Sequence, residues 1–206
     1  MNNHPSEKLD EAKRRALFLA ASAEFTEKGF ERASLNRIIA EVGMSKSSFY
    51  HFFANKTDLF KCVLEQATAP MLNAQAQMDL SALSADAFWP TVRSVTTEMA
   101  HMINRSPEMV MAGRMFYRAL DNPEDRALTE EVMAAILDWI QALMARGQDL
   151  GLVRNDLPKS LAMDMLMGLG TAMDRWMLRH WDDYSEDERL ALNEKGFEIF
   201  RRMMQP

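Results

Sequence analysis

Residues 34–60 constrain the fold of this chain more than any other stretch, because they carry start and stop signals for closely spaced short helices. Ser34 can cap the first helix, since its side-chain oxygen can accept a free backbone N–H group. After Ser34, apolar residues recur at helical spacing and form one face: Leu35, Ile38, Ile39 and Val42. Gly43 follows these residues, and glycine ends a helix at low cost because it tolerates the left-handed conformation.

Two more helix starts follow at short intervals. Ser45 can cap a second helix, and Asn55 with Asp58 three residues later resembles the capping box that opens a third. A helix, a tight turn containing glycine and a second short helix form the sequence pattern of a helix-turn-helix. The stretch therefore predicts such a unit.

The second of these helices has two faces of different chemistry. Phe49 and Phe52 share one side with two serines, so we expect both rings to anchor the helix in a core. The other side carries no aliphatic residue and presents Lys46, Ser47, Tyr50 and His51. A cation, hydroxyl groups and an imidazole suit phosphate oxygens and base edges in a major groove. The alternative is an ordinary solvated helix face.

Residues 15–60 resemble the N-terminal DNA-binding domain of the TetR family of bacterial transcriptional regulators. The matching residues are Arg15-Ala16-Leu17, Ala20-Ala21, Phe25, Glu27-Lys28-Gly29-Phe30, Ser34-Leu35, Ile38-Ile39-Ala40, Val42-Gly43-Met44-Ser45-Lys46, Phe49-Tyr50-His51-Phe52-Phe53, Asn55-Lys56 and Leu59-Phe60. Two residues depart from the family pattern. Arg37 stands where an acidic residue commonly closes a capping box, and Ser47 stands where Gly or Ala is usual.

The resemblance implies a set of DNA contacts. The residues expected to contact phosphates are Ser34, Lys46, Tyr50, His51 and Lys56. The residues expected to reach base edges or the groove are Arg37, Ser47 and Ser48. The double-stranded operator is expected to be palindromic and the protein a homodimer, because a two-fold protein places its reading helices about 34 Å apart.

The charge distribution leaves a second function open. The net charge is −6, but residues 1–60 hold nine Lys and Arg against eight Asp and Glu, which gives +1 and leaves −7 for the remainder. DNA attraction must then come from the local placement of cations. The near-neutral N-terminal part is also compatible with a helical ligand-binding or protein-interaction module that lacks sequence-specific DNA binding.

The chain as a whole predicts an all-α fold of two domains. Gly and Pro number only 8 and 7, and no stretch alternates as a strand does. We expect a DNA-binding domain over residues 1–55, with a disordered arm over 1–7, and an effector-binding and dimerisation domain over residues 56–206. Helices are predicted over 9–28, from 56 towards 75, and near 85–104, 107–121, 124–148, 159–181 and 185–204.

Several classes of protein are disfavoured. The single cysteine, Cys62, excludes an intramolecular disulfide and is expected to be a buried, inert thiol in a reducing cytoplasm. No signal peptide or membrane span is visible. The four histidines lie far apart, and no catalytic motif or metal-ligand spacing occurs, so we expect no enzyme activity, cofactor or metal.

The last two helices and the methionines suggest two further surfaces, and the pattern alone does not separate either from core packing. Small residues at Gly168 and Ala172, with Leu190, Phe197, Phe200 and Met204, fit a four-helix dimer interface, which the resemblance favours. Methionine adapts to varied apolar shapes. A plastic, apolar effector pocket is therefore predicted from Met99, Met102, Met115, Phe116, Trp139, Met167, Met173 and Trp176, with His101, Arg114 or Asp174 orienting a ligand. By the resemblance, that ligand would release a repressor from its operator.

Overall fold

The computed structural model describes residues 4–206, and this part of the chain is all-α, as predicted. It contains no β-strand and no helix long and apolar enough to cross a membrane. The helices are α1 (Glu11–Lys28), α2 (Leu35–Glu41), α3 (Lys46–Phe52), α4 (Lys56–Ala76), α5 (Ala85–Arg105), α6 (Pro107–Asp121), α7 (Glu130–Asp149), α8 (Lys159–Arg179) and α9 (Glu186–Met204).

The predicted caps of the helix-turn-helix are confirmed. Ser34 Oγ accepts the Arg37 N–H group at 3.4 Å, and Ser45 Oγ accepts the Ser48 N–H group at 3.1 Å. Gly43 has φ +62°, and its N–H group donates to the carbonyl of Ala40 while that of Met44 donates to Ile39. This pair of bonds is the Schellman motif, which ends α2 and sets the turn into α3.

The described chain forms two compact units. The first comprises residues 4–70 and 107–134, in which α1 packs against α2 and α6. Leu17, Ala21 and Phe25 of α1 are all buried, as their spacing predicts. Phe25 packs edge-on against Phe60 of α4, with ring centroids 5.0 Å apart. This aromatic core holds the helix-turn-helix in place.

The second unit comprises residues 71–106 and 135–206. Its core includes Phe88 and Trp89 of α5 and Phe197 of α9. A Cβ atom on Gly147 would lie 2.6 Å from the Phe88 ring, so α7 needs glycine where it approaches α5. The predicted capping box at the start of α9 is present, with Ser185 and Glu188 bonded reciprocally.

Two predictions about the chain's path were wrong. Helix α7 begins at Glu130 and not near residue 124, because residues 123–125 form a turn and Arg126–Thr129 a short 3₁₀ helix. The arm predicted to be disordered contains a 3₁₀ helix at Pro5–Lys8, while its residues 1–3 lie outside the described range. The domain boundary predicted after residue 55 remains a prediction. The first compact unit continues along α4 to residue 70.

Candidate nucleic-acid interface

Helix α3 is fixed by two phenylalanines, although one differs from the prediction. Phe49 is fully buried as expected, but Phe52 is only half-buried. The second anchor is Phe53, which is 1% exposed and stacks on Phe49 with ring centroids 5.1 Å apart. Phe53 is the C-cap residue, with extended backbone angles, so helical periodicity no longer governs where its ring points.

The opposite face of α3 is exposed. Lys46, Ser47, Tyr50 and His51 are all exposed. Tyr50 is 57% exposed although it is a large aromatic residue, and its ring lies edge-on to Phe49. Ser48 is half-buried and contributes its backbone to the cap. The face therefore offers an ammonium group, hydroxyl groups and an imidazole to a ligand on one short helix.

The start of α2 is completed by an acid from another helix. Glu24 of α1 is 7% exposed, and its Oε1 atom accepts the Ser34 N–H group at 2.9 Å. That is the bond which the acid of a capping box normally makes, and Arg37 occupies the box position here. Arg37 remains exposed, with its Nε atom 3.6 Å from Glu24 Oε2. Helix α2 thus carries the Arg37 cation at the capping-box position, while Glu24 still makes the second cap bond of that helix.

Lys56 lies at the start of α4 with its ammonium group directed into the protein. Its Nζ atom donates to the carbonyl oxygens of Phe30, Glu31 and Ala33 at 2.6, 3.0 and 3.2 Å, and it lies 4.6 Å from the centre of the Phe30 ring. An ammonium group has three N–H donors, and three acceptors are supplied here. Lys56 thus ties the loop between α1 and α2 to α4, and a phosphate contact by this residue stays a prediction.

The N-terminal segment packs on the same region through a chain of polar contacts. Asp58 caps α4 by accepting the Ala54 N–H group, one residue earlier than a capping box would place it, and its other oxygen lies 3.2 Å from His4 Nε2. His4 Nδ1 lies 2.8 Å from Ser6 Oγ, which in turn lies 3.3 Å from Cys62 Sγ. Cys62 is buried, and burial raises the pKa of its thiol to about 11. Sequence reasoning missed this segment because its two bonding partners, Asp58 and Cys62, lie 54 and 56 residues further along the chain from His4 and Ser6.

The residues predicted for dimerisation divide into two groups. Gly168 and Ala172 of α8 are exposed, whereas Phe197 and Met204 are 5% and 1% exposed and belong to the core of the second unit. Leu190 and Phe200 are half-buried. A residue buried in its own chain offers little surface to a partner, so the interface proposed below is built on exposed residues of α8 and leaves out Phe197 and Met204. Contacts by Leu190 and Phe200 stay predictions.

The residues predicted for an effector pocket also divide. Met115 and Phe116 are buried within the first unit, while the others belong to the second. Those others are Met99, Met102, Trp139, Met167, Met173 and Trp176. A cavity of about 580 Å³ lies between α5 and α9 of the second unit. None of the eight residues lines this α5–α9 cavity, although His101, a predicted ligand-orienting group, does. Their role in binding stays a prediction.

The fold and this exposed helix face define a class of protein, the helix-turn-helix DNA-binding proteins. Residues 17–63 match the family model described as bacterial regulatory proteins, tetR family. This part of the chain is therefore similar to the DNA-binding region of that family.

Two curated relatives are transcriptional repressors. Over 56 residues the chain is 41% identical to the HTH-type transcriptional repressor SCO4008 of Streptomyces coelicolor, a match that covers 27% of this chain and 29% of that protein. It is 25% identical to the repressor AcnR of Corynebacterium diphtheriae over 150 residues, which cover 71% of this chain and 70% of AcnR. The stronger identity is therefore confined to 27% of this chain.

Solved structures share the whole fold at low identity. The regulator FadR from Bacillus subtilis in complex with stearoyl-CoA matches with a TM-score of 0.72 and 15% identity, over 92% of this chain and 98% of that one. The SmeT–triclosan complex matches with a TM-score of 0.69 and 21% identity, over 92% of this chain and 91% of that one. These likenesses concern the fold.

Proposed function

We propose that this chain is a repressor that binds a palindromic DNA operator as a homodimer and is released by a small molecule. The observation that carries the proposal is the exposed polar face of α3, held in place by the buried rings of Phe49 and Phe53. A short, rigidly anchored helix with such a face is the element that reads the major groove in helix-turn-helix proteins. The protein acts on DNA in the cytoplasm and is not an enzyme.

The proposed contacts follow from exposure. Lys46, Tyr50 and His51 contact phosphates, and Ser47 with Arg37 reaches base edges or the groove. Ser34 and Ser48 contribute chiefly by fixing the starts of α2 and α3, since Ser34 Oγ accepts the Arg37 N–H group and the Ser48 N–H group donates to Ser45 Oγ.

The dimer forms through an apolar stripe on α8. Leu161, Met165, Gly168, Ala172 and Trp176 are all exposed and lie within one face at helical spacing. Exposed apolar side chains in a continuous row mark an interaction surface. A two-fold contact here uses the same surface on both chains, as closed dimers require.

A small molecule supplies the regulation. The relatives of the same fold include complexes with stearoyl-CoA and with triclosan, both with large apolar parts. Helix α4 continues from the first unit into the second, and Pro70 within it lacks a backbone N–H donor. Ligand binding in the second unit would tilt α4 and change the separation of the two α3 helices, which couples the two sites.

The dependence of DNA binding on salt tests the proposal directly. Wild-type protein is titrated with a fluorescent duplex at about 50 and 200 mM salt, and affinity is expected to fall steeply as counterions are released. Lys46→Ala should reduce the slope of log affinity against log salt by about 1. Lys159→Ala, which removes an exposed lysine from the start of α8, should leave it unchanged. Absence of salt-dependent binding by the wild type would instead support the helical module without DNA binding.

A further inference from the structure

The N-terminal segment, residues 4–9, lies against the turn that joins α3 to α4. This turn covers residues 53–55, between the last residue of α3 and the first residue of α4. Ser6 is fully buried and Leu9 is 9% exposed, so the segment is packed as part of the first unit. Its other end runs directly into Asp10, the cap residue of α1. The DNA contacts proposed above make no use of this segment.

His4 holds the segment through both nitrogens of its ring. Its Nδ1 atom accepts the backbone N–H group of Ser6 at 3.1 Å, so in the neutral ring the proton lies on Nε2. The Nε2 atom can therefore donate to Asp58 Oδ1, which lies 3.2 Å away. Only 22% of the His4 side chain is exposed. One nitrogen thus fixes the start of the segment, and the other joins the segment to α4.

The carboxylate of Asp58 is shared between the N-terminal segment and the turn. Its Oδ2 atom accepts the Ala54 N–H group at 2.8 Å, while the backbone N–H group of Asp58 donates to Asn55 Oδ1 at 2.9 Å. Each bond in such a network helps to orient the next one. Loss of the His4 side chain would therefore leave the carboxylate held from one side only, at the point where α4 begins.

The His4 ring also packs on an aromatic anchor of α3. Its centroid lies 5.4 Å from that of Phe53, with 34° between the ring planes. Phe53 in turn stacks on Phe49, and Phe18 of α1 lies edge-on to it at 6.4 Å. Because Phe49 and Phe53 are the two buried rings that fix α3, a contact on Phe53 bears directly on the orientation of that helix.

The N-terminal segment is poorly suited to binding DNA by itself. Its charged side chains, Glu7 and Lys8, are both exposed, and their formal charges cancel. Both ring nitrogens of His4 are engaged with protein groups. Attraction to the DNA backbone comes from cations that neutralise phosphates, and this segment supplies one lysine beside one glutamate. Its influence on DNA binding therefore passes through α3.

We propose that His4 is a positioning residue for DNA recognition, which holds the reading helix α3 in place without touching DNA. The link to DNA rests on the proposed function, whereas the bracing of the turn does not. A recognition site needs its side chains held to within about 0.5 Å by supporting contacts. Phosphate contacts carry no sequence information. Loss of His4 should therefore weaken binding to the operator and spare binding to unrelated sequences.

Hydrogen–deuterium exchange on the full-length protein without DNA tests the bracing. His4→Ala should speed amide exchange about fivefold in peptides that cover residues 46–58 and leave peptides from α8 unchanged. Lys8→Ala is the matched control, because Lys8 is an exposed residue of the same segment. It should exchange as the wild type does. Unchanged exchange over residues 46–58 in His4→Ala overturns the inference, whatever happens with DNA.

The effect on recognition is measured with two fluorescent duplexes. One is the sequence that the wild type enriches from a random pool, and the other is a scrambled duplex of the same composition. His4→Ala should weaken binding to the enriched duplex about tenfold, leave the scrambled duplex unchanged and keep the wild-type salt slope. A smaller fraction of folded protein would weaken both equally, so the ratio of the two affinities separates positioning from stability. The effects of His4→Ala and Asp58→Ala should be less than additive, because both remove the same link.

The inference is overturned if His4→Ala weakens both duplexes equally, if it binds the enriched duplex as the wild type does, or if it lowers the salt slope by about 1, as loss of a phosphate contact would. A slope lowered by about 1 in Lys8→Ala would also overturn it, because the segment would then touch DNA. If the wild type enriches no sequence, the proposed function fails, and the exchange measurement still decides whether His4 braces the turn.

Discussion

Individual side chains in the DNA-binding unit are held by partners that are distant in sequence. Glu24 supplies the second cap bond of α2 that Arg37 does not make, and Lys56 closes the loop after α1 through three carbonyl groups. Neither role follows from helix periodicity, since a cap bond or a loop contact depends on which segment folds back onto it. The DNA-reading face is therefore positioned by charged residues that need not touch DNA.

Replacing Lys56 by Met tests its structural role. The substitution keeps most of the aliphatic stem and leaves the three carbonyl groups without their ammonium donor, so the free energy of unfolding should fall by about 1 to 3 kcal/mol. Urea denaturation measures it. Lys46→Met, on the exposed face of α3, should change stability by less than about 0.5 kcal/mol. If Lys56→Met were as stable as the wild type but lowered the salt slope of DNA binding by about 1, the lysine would contact phosphate instead.

The buried thiol of Cys62 makes stability depend on alkaline pH. Burial raises its pKa from about 9.0 to about 11, so the neutral thiol favours the folded state. This contribution is fully present below pH 9 and is lost as pH rises from 9 to 11. The stability advantage of the wild type over Cys62→Ala should therefore be smaller at pH 10.5 than at pH 8, within the window set by that shift. Urea denaturation at both values checks it, and a difference that stays constant would show that the thiol is not shielded in solution.

At the scale of helices, α8 shows two kinds of contact on different faces. One face carries Met173, which packs so closely on α9 that a Cβ atom on Gly196 would lie 2.0 Å from its terminal methyl. Another face carries the exposed stripe from Leu161 to Trp176. A helix that is apolar on more than one face must bury the second against something, and a second copy of the chain meets that need.

Two glycines on opposite faces of α8 test the dimer. A Cβ atom at Gly168 or at Gly170 would meet no atom of the same chain within 4 Å outside the helix's own backbone, and both glycines are exposed, so leucine should fit at both. Both changes should also gain about 0.8 to 1 kcal/mol of helix propensity. Only Gly168→Leu adds bulk to the stripe, so sedimentation velocity should show dissociation of that variant and an intact Gly170→Leu dimer. Dissociation of both variants, or of neither, would place the interface elsewhere.

Helix positions were the most predictable feature of the sequence, because caps and stop residues act locally. Helix α6 occupies the predicted range, and α5, α8 and α9 begin at or within one residue of it. The anchor of α3 was less predictable: helical spacing favours Phe52, but the helix ends there and Phe53 takes the buried position. The α5–α9 cavity was not predictable, because it depends on how two helices about 100 residues apart pack together.

At the scale of the whole molecule, DNA binding depends on how charge is distributed along the chain and on the two-fold symmetry of a dimer. The net charge of −6 is carried beyond residue 60, since residues 1–60 have +1. Attraction to DNA is therefore confined to the end that carries α3, while the acidic remainder is repelled. Because the whole protein attracts DNA only weakly, its affinity for an operator depends on two α3 helices binding at the same time. A dimer is therefore necessary for a stable complex with DNA.

Selection of bound duplexes from a random DNA pool at about physiological salt tests the central claim most directly. The account predicts enrichment of a palindrome whose half-sites are centred about one helical turn or a multiple of it apart. It also predicts that Gly168→Leu protein enriches no palindrome, while Gly170→Leu protein enriches the wild-type one. Failure of wild-type protein to enrich any sequence, at moderate or at low salt, would contradict the assignment of α3 as a reading helix.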